Sequence, residues 1–272
     1  MKENLLIFFD FARKLVANRY MIGMLSVREL KAAYVGSLFG FLWAVFNPLS
    51  QVVIYGVVFG LFFKSKPDAI YSTDSFLLFL LCGIVPWQFF SQALSSSASV
   101  VVNNRNLIKK AAGFPSEILP LTSVVSNIIS HLIGLVLVLV VVVAYTGGLP
   151  ATAPLVFVYM FLIAVFAVGS GWILSGLNVF VRDTQQVLSL ALMGLFFFTP
   201  VFYSASIVPA EFQFLMKLNP MYHVVEGYRL ALLAGTMLPA TGFAYLAGVS
   251  AVTFAIGGVF FRRVKPWFAE VL

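Results

Sequence analysis

Few side chains in this sequence are spaced for chemistry. The two histidines, His131 and His223, lie far apart, and a metal site needs clustered His, Cys or carboxylates. His131 stands alone in an apolar run, where an imidazole bonded between helices is the expected role. No G-x-x-x-x-G-K-[ST] loop is present to cradle nucleotide phosphates. The single cysteine, Cys82, also sits in an apolar run and reads as a small buried residue. Three groupings remain. A charged turn of Arg28, Glu29 and Lys31 runs without a break signal into an apolar helix. Glu226 and Arg229 stand three apart, a spacing at which a helix pairs them. Phe39, Trp43 and Phe46 follow at i, i+4 and i+7 and share one helical face, while Phe196, Phe197, Phe198, Phe202 and Tyr203 crowd Pro200. Such aromatics either meet lipid and neighbouring helices or line a passage on which sugar rings stack.

The elements that hold these groups are set by composition. Of 272 residues, 61% are hydrophobic and 10% charged, against about 25% charged in soluble domains. So much apolar surface needs lipid as its solvent, and the fold class is an all-α integral membrane protein. A span needs about 20 mainly apolar residues. Six stretches qualify, near 33–63, 76–102, 119–145, 153–181, 186–203 and 241–261. With the N-terminus inside, 13 of the 17 Lys and Arg residues fall on the cytoplasmic side, as the positive-inside rule requires. Both termini are then cytoplasmic. The net charge of +7 reflects this flanking pattern and not a nucleic-acid surface.

Residues 4–20 place Leu5, Phe8, Phe9, Ala12, Leu15, Val16 and Tyr20 on one face, which predicts an amphipathic helix within a cytoplasmic segment 1–32. Asp10 interrupts the apolar run, and no small-residue cleavage site marks a signal peptide. The basic loop 103–118 forms a short helix stopped by Pro115, and is either solvated or a docking surface. The segment 204–240 is broken by Pro209, Glu211, Lys217, Asn219-Pro220, His223, Glu226, Arg229 and Pro239. It reads as a re-entrant pair of short helices, a form tolerated only against protein or a water-filled cavity. Asn47-Pro48 and Thr199-Pro200 are expected kinks. Gly169, Ser170, Gly171 and Gly176 allow close helix contact.

Four pieces in order resemble the permease subunits of ABC-2 type exporters, in the branch that exports O-antigen, capsule and teichoic acid polymers. Arg28-Glu-Leu-Lys-Ala-Ala-Tyr-Val-Gly-Ser-Leu-Phe-Gly-Phe-Leu-Trp-Ala-Val-Phe-Asn-Pro48 is similar to the family's entry into its first span. Asn178-Val-Phe-Val-Arg182-Asp183 is similar to its inner motif after the fourth span. Thr199-Pro200-Val-Phe-Tyr203 resembles the end of the fifth span, and Leu218-Asn219-Pro220-Met-Tyr-His-Val-Val-Glu226-Gly-Tyr-Arg229 the re-entrant outer segment. The resemblance implies a homodimer in a bacterial cytoplasmic membrane with two ABC ATPase subunits below, which hold the ATP and Mg. No cofactor is implied on this chain. Residues 4–28 and the loop bearing Arg105, Lys109, Lys110, Pro115 and Glu117 would meet the ATPase. Arg182 and Asp183 would form an ion pair reporting ATPase closure. Asn219, Pro220, Glu226 and Arg229 would belong to an outer gate. Tyr34, Phe39, Trp43, Phe46, Phe198, Phe202 and Tyr203 would line the channel. The implied cargo is a glycan on a polyprenyl pyrophosphate, whose head group Arg28 and Lys31 either bind or leave to simple membrane anchoring. Any sugar-recognition domain is expected on the ATPase, since nothing follows Leu272.

The centres of all six predicted spans lack Asp, Glu, Lys and Arg, which argues against a proton- or sodium-coupled carrier. An exporter of drugs or small lipids would share the fold. An integral-membrane transferase would need a cluster of acid and base residues at one face, and the sequence offers none.

Overall fold

In a computed structural model, residues 17–34, 36–62, 66–110 and 114–272 are described, and every regular element among them is helical. The predicted helix face at residues 4–16 and the residues Lys64 and 111–113 lie outside the described residues. Helix α1 is Arg19–Tyr34, and α2 is Trp43–Tyr55, continued by a π-helical turn over Gly56–Phe62. Then come α3 (Phe76–Asn103), the short α4 (Arg105–Lys110), α5 (Ile118–Thr146), α6 (Leu155–Phe180) and α7 (Thr184–Phe198). Two short helices follow, α8 (Ala210–Lys217) and α9 (Pro220–Arg229), the second extended by a π turn over Leu230–Ala234. The chain closes with α10 (Ala240–Val264) and α11 (Phe268–Val271).

The expectation of an unbroken run from the charged turn into the first span does not hold. Tyr34 ends α1, and Gly36 and Gly40 adopt φ of 82° and 49°. These are left-handed values that glycine reaches without a Cβ penalty and that terminate helices. The chain therefore turns between α1 and α2, and the first apolar stretch long enough to span is Val45–Phe62. Among the described residues, five helices are long and apolar enough to cross a membrane. Helix α7, apolar over most of its length, has 15 residues, which reach about 22 Å at the α-helical rise, short of the roughly 30 Å hydrocarbon core. It stops at Thr199, whose extended backbone (ψ 130°) is what a following proline favours. Thr199-Pro200 is thus a helix end where a kink was expected.

Helix α3 is the hub. It packs on α5, α6, α7, α2 and α9, and a nearly continuous run from Leu78 to Phe90 is buried. Helix α6 lies between α3 and α10, joined to each through its small residues. A Cβ on Gly169 would sit 2.5 Å from the backbone N of Phe254, and one on Gly257 would sit 2.1 Å from the Gly169 carbonyl. Gly171 meets Ser97 of α3 in the same way, at 2.9 Å. The small-residue run acts as expected: α6 and α10 touch backbone to backbone, and dispersion across that contact replaces the hydrophobic drive that lipid removes. By contrast, the apolar window of α2 buries none of its residues.

The α6–α10 contact predicts a graded effect. Gly257→Ala forces two backbones apart and should lower stability by about 1–3 kcal/mol, the usual cost of overpacking. Gly248→Ala on the same helix meets nothing within 4 Å and should leave it unchanged. Thermal unfolding of both purified variants in detergent checks the pair.

Candidate functional site

One end of the bundle is organised around Arg229, the last residue of α9. Its side chain is fully buried. The guanidinium donates to the Val201 carbonyl (2.7 Å), the Phe79 carbonyl (3.3 Å) and the Glu226 carboxylate (3.2 Å), and lies 3.5 Å above the Phe79 ring. Glu226 accepts in turn from the Tyr71 hydroxyl at 2.6 Å. Burial, then the charge of Glu226, pushes the Tyr71 phenol well above its ordinary range, so it stays a donor. The helix pairing expected from the spacing of Glu226 and Arg229 is present. The partners Tyr71, Phe79 and Val201 were not foreseen, because two of them accept through backbone carbonyls, which carry no residue signature. Gly83 completes the nest: a Cβ there would lie 2.8 Å from an Arg229 nitrogen and 2.9 Å from the Val201 oxygen.

Asn219 begins α9. Its side-chain oxygen accepts from the Met221 amide (3.0 Å) while its amide donates to the Thr199 hydroxyl (2.7 Å). Pro220 follows at the first helical turn, where its missing N–H costs nothing. Two motifs read separately in the sequence, Thr199-Pro200 and Asn219-Pro220, are therefore one junction. Asp68 accepts from the hydroxyls of Ser204 and Ser206, tying the loop before α3 to the chain after α7. His131 bonds the Tyr228 hydroxyl at 2.8 Å and packs on Phe89, the interhelical role expected of it.

The aromatics divide. Phe39, Trp43 and Phe46 form a three-ring cluster with centroids 5.5–6.3 Å apart, and all are exposed. Phe198 is also exposed, at 61%. Phe202 is buried at 7% and stacks on Phe59 at 4.4 Å, so it packs the end of α7 against the π turn and lines no free surface. Tyr203 is half-buried, its hydroxyl donating to the Phe197 carbonyl at 2.8 Å. Tyr34 ends α1, and its side chain lies outside the described set.

At the opposite end, α1 packs on α5. Arg28 donates to the Asn104 side chain (2.9 Å), which is held by the Val100 carbonyl (2.8 Å). Glu29 accepts from Ser123 (2.6 Å) and Thr122 (3.3 Å). Together with Ser96, Ser99 and Asn103, Arg28 and Glu29 line a polar cavity of about 270 Å³. Burial pushes the Glu29 carboxyl above its ordinary range, against the opposing pull of Ser123, Thr122 and Arg28. Lys31 is exposed beyond it.

Arg105 and Lys109 are exposed on α4, Pro115 is half-buried, and the Lys110 side chain lies outside the described set. Glu117 differs from the expectation of a docking residue. It is buried, its carboxylate takes the Lys265 ammonium, and its carbonyl takes the Trp172 indole N–H at 2.9 Å. It braces the C-terminal turn instead of facing a partner. Arg182 and Asp183 are both exposed, and the expected ion pair between them is absent. Adjacent positions in a turn point their side chains apart. Among the described residues no three His, Cys, Asp or Glu are grouped to hold a metal ion.

A bundle of long apolar helices, with two short helices locked on by a buried arginine, is the architecture of a multi-pass membrane protein. The chain matches the ABC-2 type transporter family over residues 20–233, and it belongs to that family. It is 32% identical to the O-antigen export system permease protein RfbA of Myxococcus xanthus, over 95% of this chain and 97% of that protein. It is 28% identical to RfbA of Klebsiella pneumoniae over 100% and 98%, and 26% identical to the polysialic acid transport protein KpsM of Escherichia coli over 88% and 91%.

Two outcomes follow from these contacts. Arg229→Met strands the Glu226 carboxylate and should cost about 3–5 kcal/mol, as removal of one partner of a buried pair does. The double change Arg229→Met with Glu226→Gln should cost less than the sum of the two single changes, read as unfolding midpoints in detergent. Glu29 has a raised folded-state pKa, so the fold favours its protonated form. That contribution is full below the unfolded carboxylate value of about 4.3, and it is lost as pH rises toward the folded value. Glu29→Gln should therefore stabilise the protein at neutral pH, with the gain shrinking as the unfolding series is taken down to pH 4.

Proposed function

We propose that this chain is the permease subunit of an ATP-driven exporter that moves a lipid-linked polysaccharide across a bacterial cytoplasmic membrane. The observation that carries the reading is its near full-length similarity to the Myxococcus O-antigen permease. The working unit is a homodimer with two ABC ATPase subunits, which bind ATP and Mg and perform the hydrolysis. Each copy crosses six times, α7 serving as a short fifth span, with both termini cytoplasmic.

The geometry supports particular roles. Helices α2 and α7 carry exposed apolar faces on the same hub, α3, and a second copy would cover part of them. Phe39, Trp43, Phe46 and Phe198 offer ring faces without charge, on which sugar C–H groups slide without a fixed register. Tyr34 and Tyr203 belong to the same lining. Arg28, already aimed by Asn104 beside a polar cavity, takes the pyrophosphate with Lys31. Arg105, Lys109, Lys110, Pro115, Arg182 and Asp183 present the exposed end to the ATPase. Unpaired, Arg182 and Asp183 are free to meet groups on that partner. The α8–α9 unit, with Asn219, Pro220, Glu226 and Arg229, forms an outer gate.

The test is reconstitution with the partner ATPase in vesicles. Polyprenyl-pyrophosphate glycan should stimulate ATP hydrolysis and appear across the bilayer. Trp43→Ala should slow its export several-fold while the unfolding midpoint and assembly stay unchanged. Stimulation by a small hydrophobic drug and not by the glycan would move the protein to the drug and small-lipid exporters. Normal export by Trp43→Ala would return that ring to lipid contact.

A further inference from the structure

Between α8, α9 and α10 lies a cavity of about 540 Å³ for which the roles above name no occupant. Phe214, Leu218, Leu230 and Leu238 give its wall an apolar side. That volume, with apolar walls and a few placed polar groups, is typical of a ligand pocket. The polar groups sit together. The Lys217 ammonium has no ion-pair partner among the described residues. His223 donates from Nε2 to the Lys217 carbonyl at 2.8 Å, since a carbonyl only accepts. Its Nδ1 therefore turns an acceptor toward Gly242, where a Cβ would lie 2.9 Å away. The one carboxylate in the wall, Glu226, is already held by Arg229 and Tyr71.

What surrounds the cavity identifies its occupant. Helix α10 is one of the membrane-crossing helices. Helix α8 exposes Phe214 in the cavity wall and Phe212 and Leu215 on its other side, so it lies in the interface with apolar residues toward lipid. An apolar chamber open to a leaflet, with an unpaired cation at the rim, fits an amphiphile with an anionic head. We propose that this cavity binds a phospholipid of net negative charge from the leaflet around α8, one acyl chain inside and the phosphate at Lys217. Occupied, it would fill the space behind α9 and hold α8 against α10. The proposal stands apart from the cargo reading, because it needs neither the ATPase nor the glycan.

The protein is placed in phosphatidylcholine nanodiscs containing a trace of phosphatidylglycerol with a diazirine at one chain end. After illumination, labelled peptides are mapped by mass spectrometry. Labelling should concentrate on Leu230–Tyr245, well above the lipid-facing α5 residues Val136 and Val140. Lys217→Gln, an exposed change that breaks no side-chain bond, should weaken it about fivefold, the worth of one lysine at an anionic lipid surface. Thr241→Trp, at the exposed rim, should abolish it and spare the α5 labelling. Equal labelling of α5, or an unchanged pattern in Thr241→Trp, would overturn the site. Equal labelling by a matching phosphatidylcholine probe would overturn the anionic head.

Discussion

A full positive charge buried in a lipid-facing bundle sets the terms for everything around it. Arg229 carries its charge out of reach of water, so each of its donors needs an acceptor inside the protein. Glu226 supplies charge, Phe79 and Val201 supply carbonyls, and the Phe79 ring covers the face. The carbonyls are available for a structural reason. Phe79 lies in the first turn of α3, where its carbonyl serves the helix ladder and lends Arg229 its second lone pair, and Val201 lies past the end of α7, where Pro200 has already ended that ladder. The arginine therefore joins three segments that share no sequence neighbourhood. Gly83 is required because a side chain there would occupy the guanidinium's place.

This knot divides the molecule mechanically. Helices α3, α6 and α10 form a body whose close backbone contacts leave little room for sliding, since packed interiors behave as bistable and not as continuously deformable. Arg229 locks α9 to that body, Asn219 ties it to Thr199 at the end of α7, and the Tyr159 hydroxyl of α6 accepts from the Leu238 amide, at 3.2 Å, in the loop before α10. Helix α2 packs on α3 and α5, and it and its π turn meet α7 and the chain beyond through rings: Tyr55 and Phe59 against Phe196 and Phe202. Ring packing of this kind tolerates rolling, whereas a charge with four directed contacts does not.

Much of this was legible in the sequence, and the remainder was hidden for identifiable reasons. Hydropathy located five of the six expected spans among the described residues, because lipid forces apolar length, and α7 falls short of that length. The Glu226–Arg229 pair was legible because helical geometry brings residues three apart together whatever their surroundings. The backbone acceptors of Arg229 were not, since a carbonyl carries no residue signature. Phe198 and Phe202 looked equivalent, and only the break at Pro200 sends one outward and the other onto Phe59. Glu117 read as a surface charge beside a proline. Its partner, Lys265, lies 148 positions away, beyond any local pattern. Gly36 and Gly40 were in view within the opening aromatic stretch, yet a glycine marks a break only when the backbone around it turns.

Two buried charges, at opposite ends of the same body, divide its labour. At one end Glu117 takes Lys265 while its carbonyl takes Trp172 of α6, so the chain entering α5 and the C-terminus move with α6. At the other, Arg229 binds the short helices to α3. Helices α3 and α6 are packed along their length, with Asn178 of α6 donating to the Ala98 carbonyl at 2.9 Å. A displacement of the α6 base therefore carries the α9 end with it and is not absorbed in between. The compliant elements are those outside this frame: α1, joined to α2 through two left-handed glycines, and α2 itself. Force applied at the end bearing α1 and α4 has two routes. The rigid route through α3 and α6 reaches the short helices, and the soft one through Gly36 and Gly40 shifts the Phe39, Trp43 and Phe46 face relative to them.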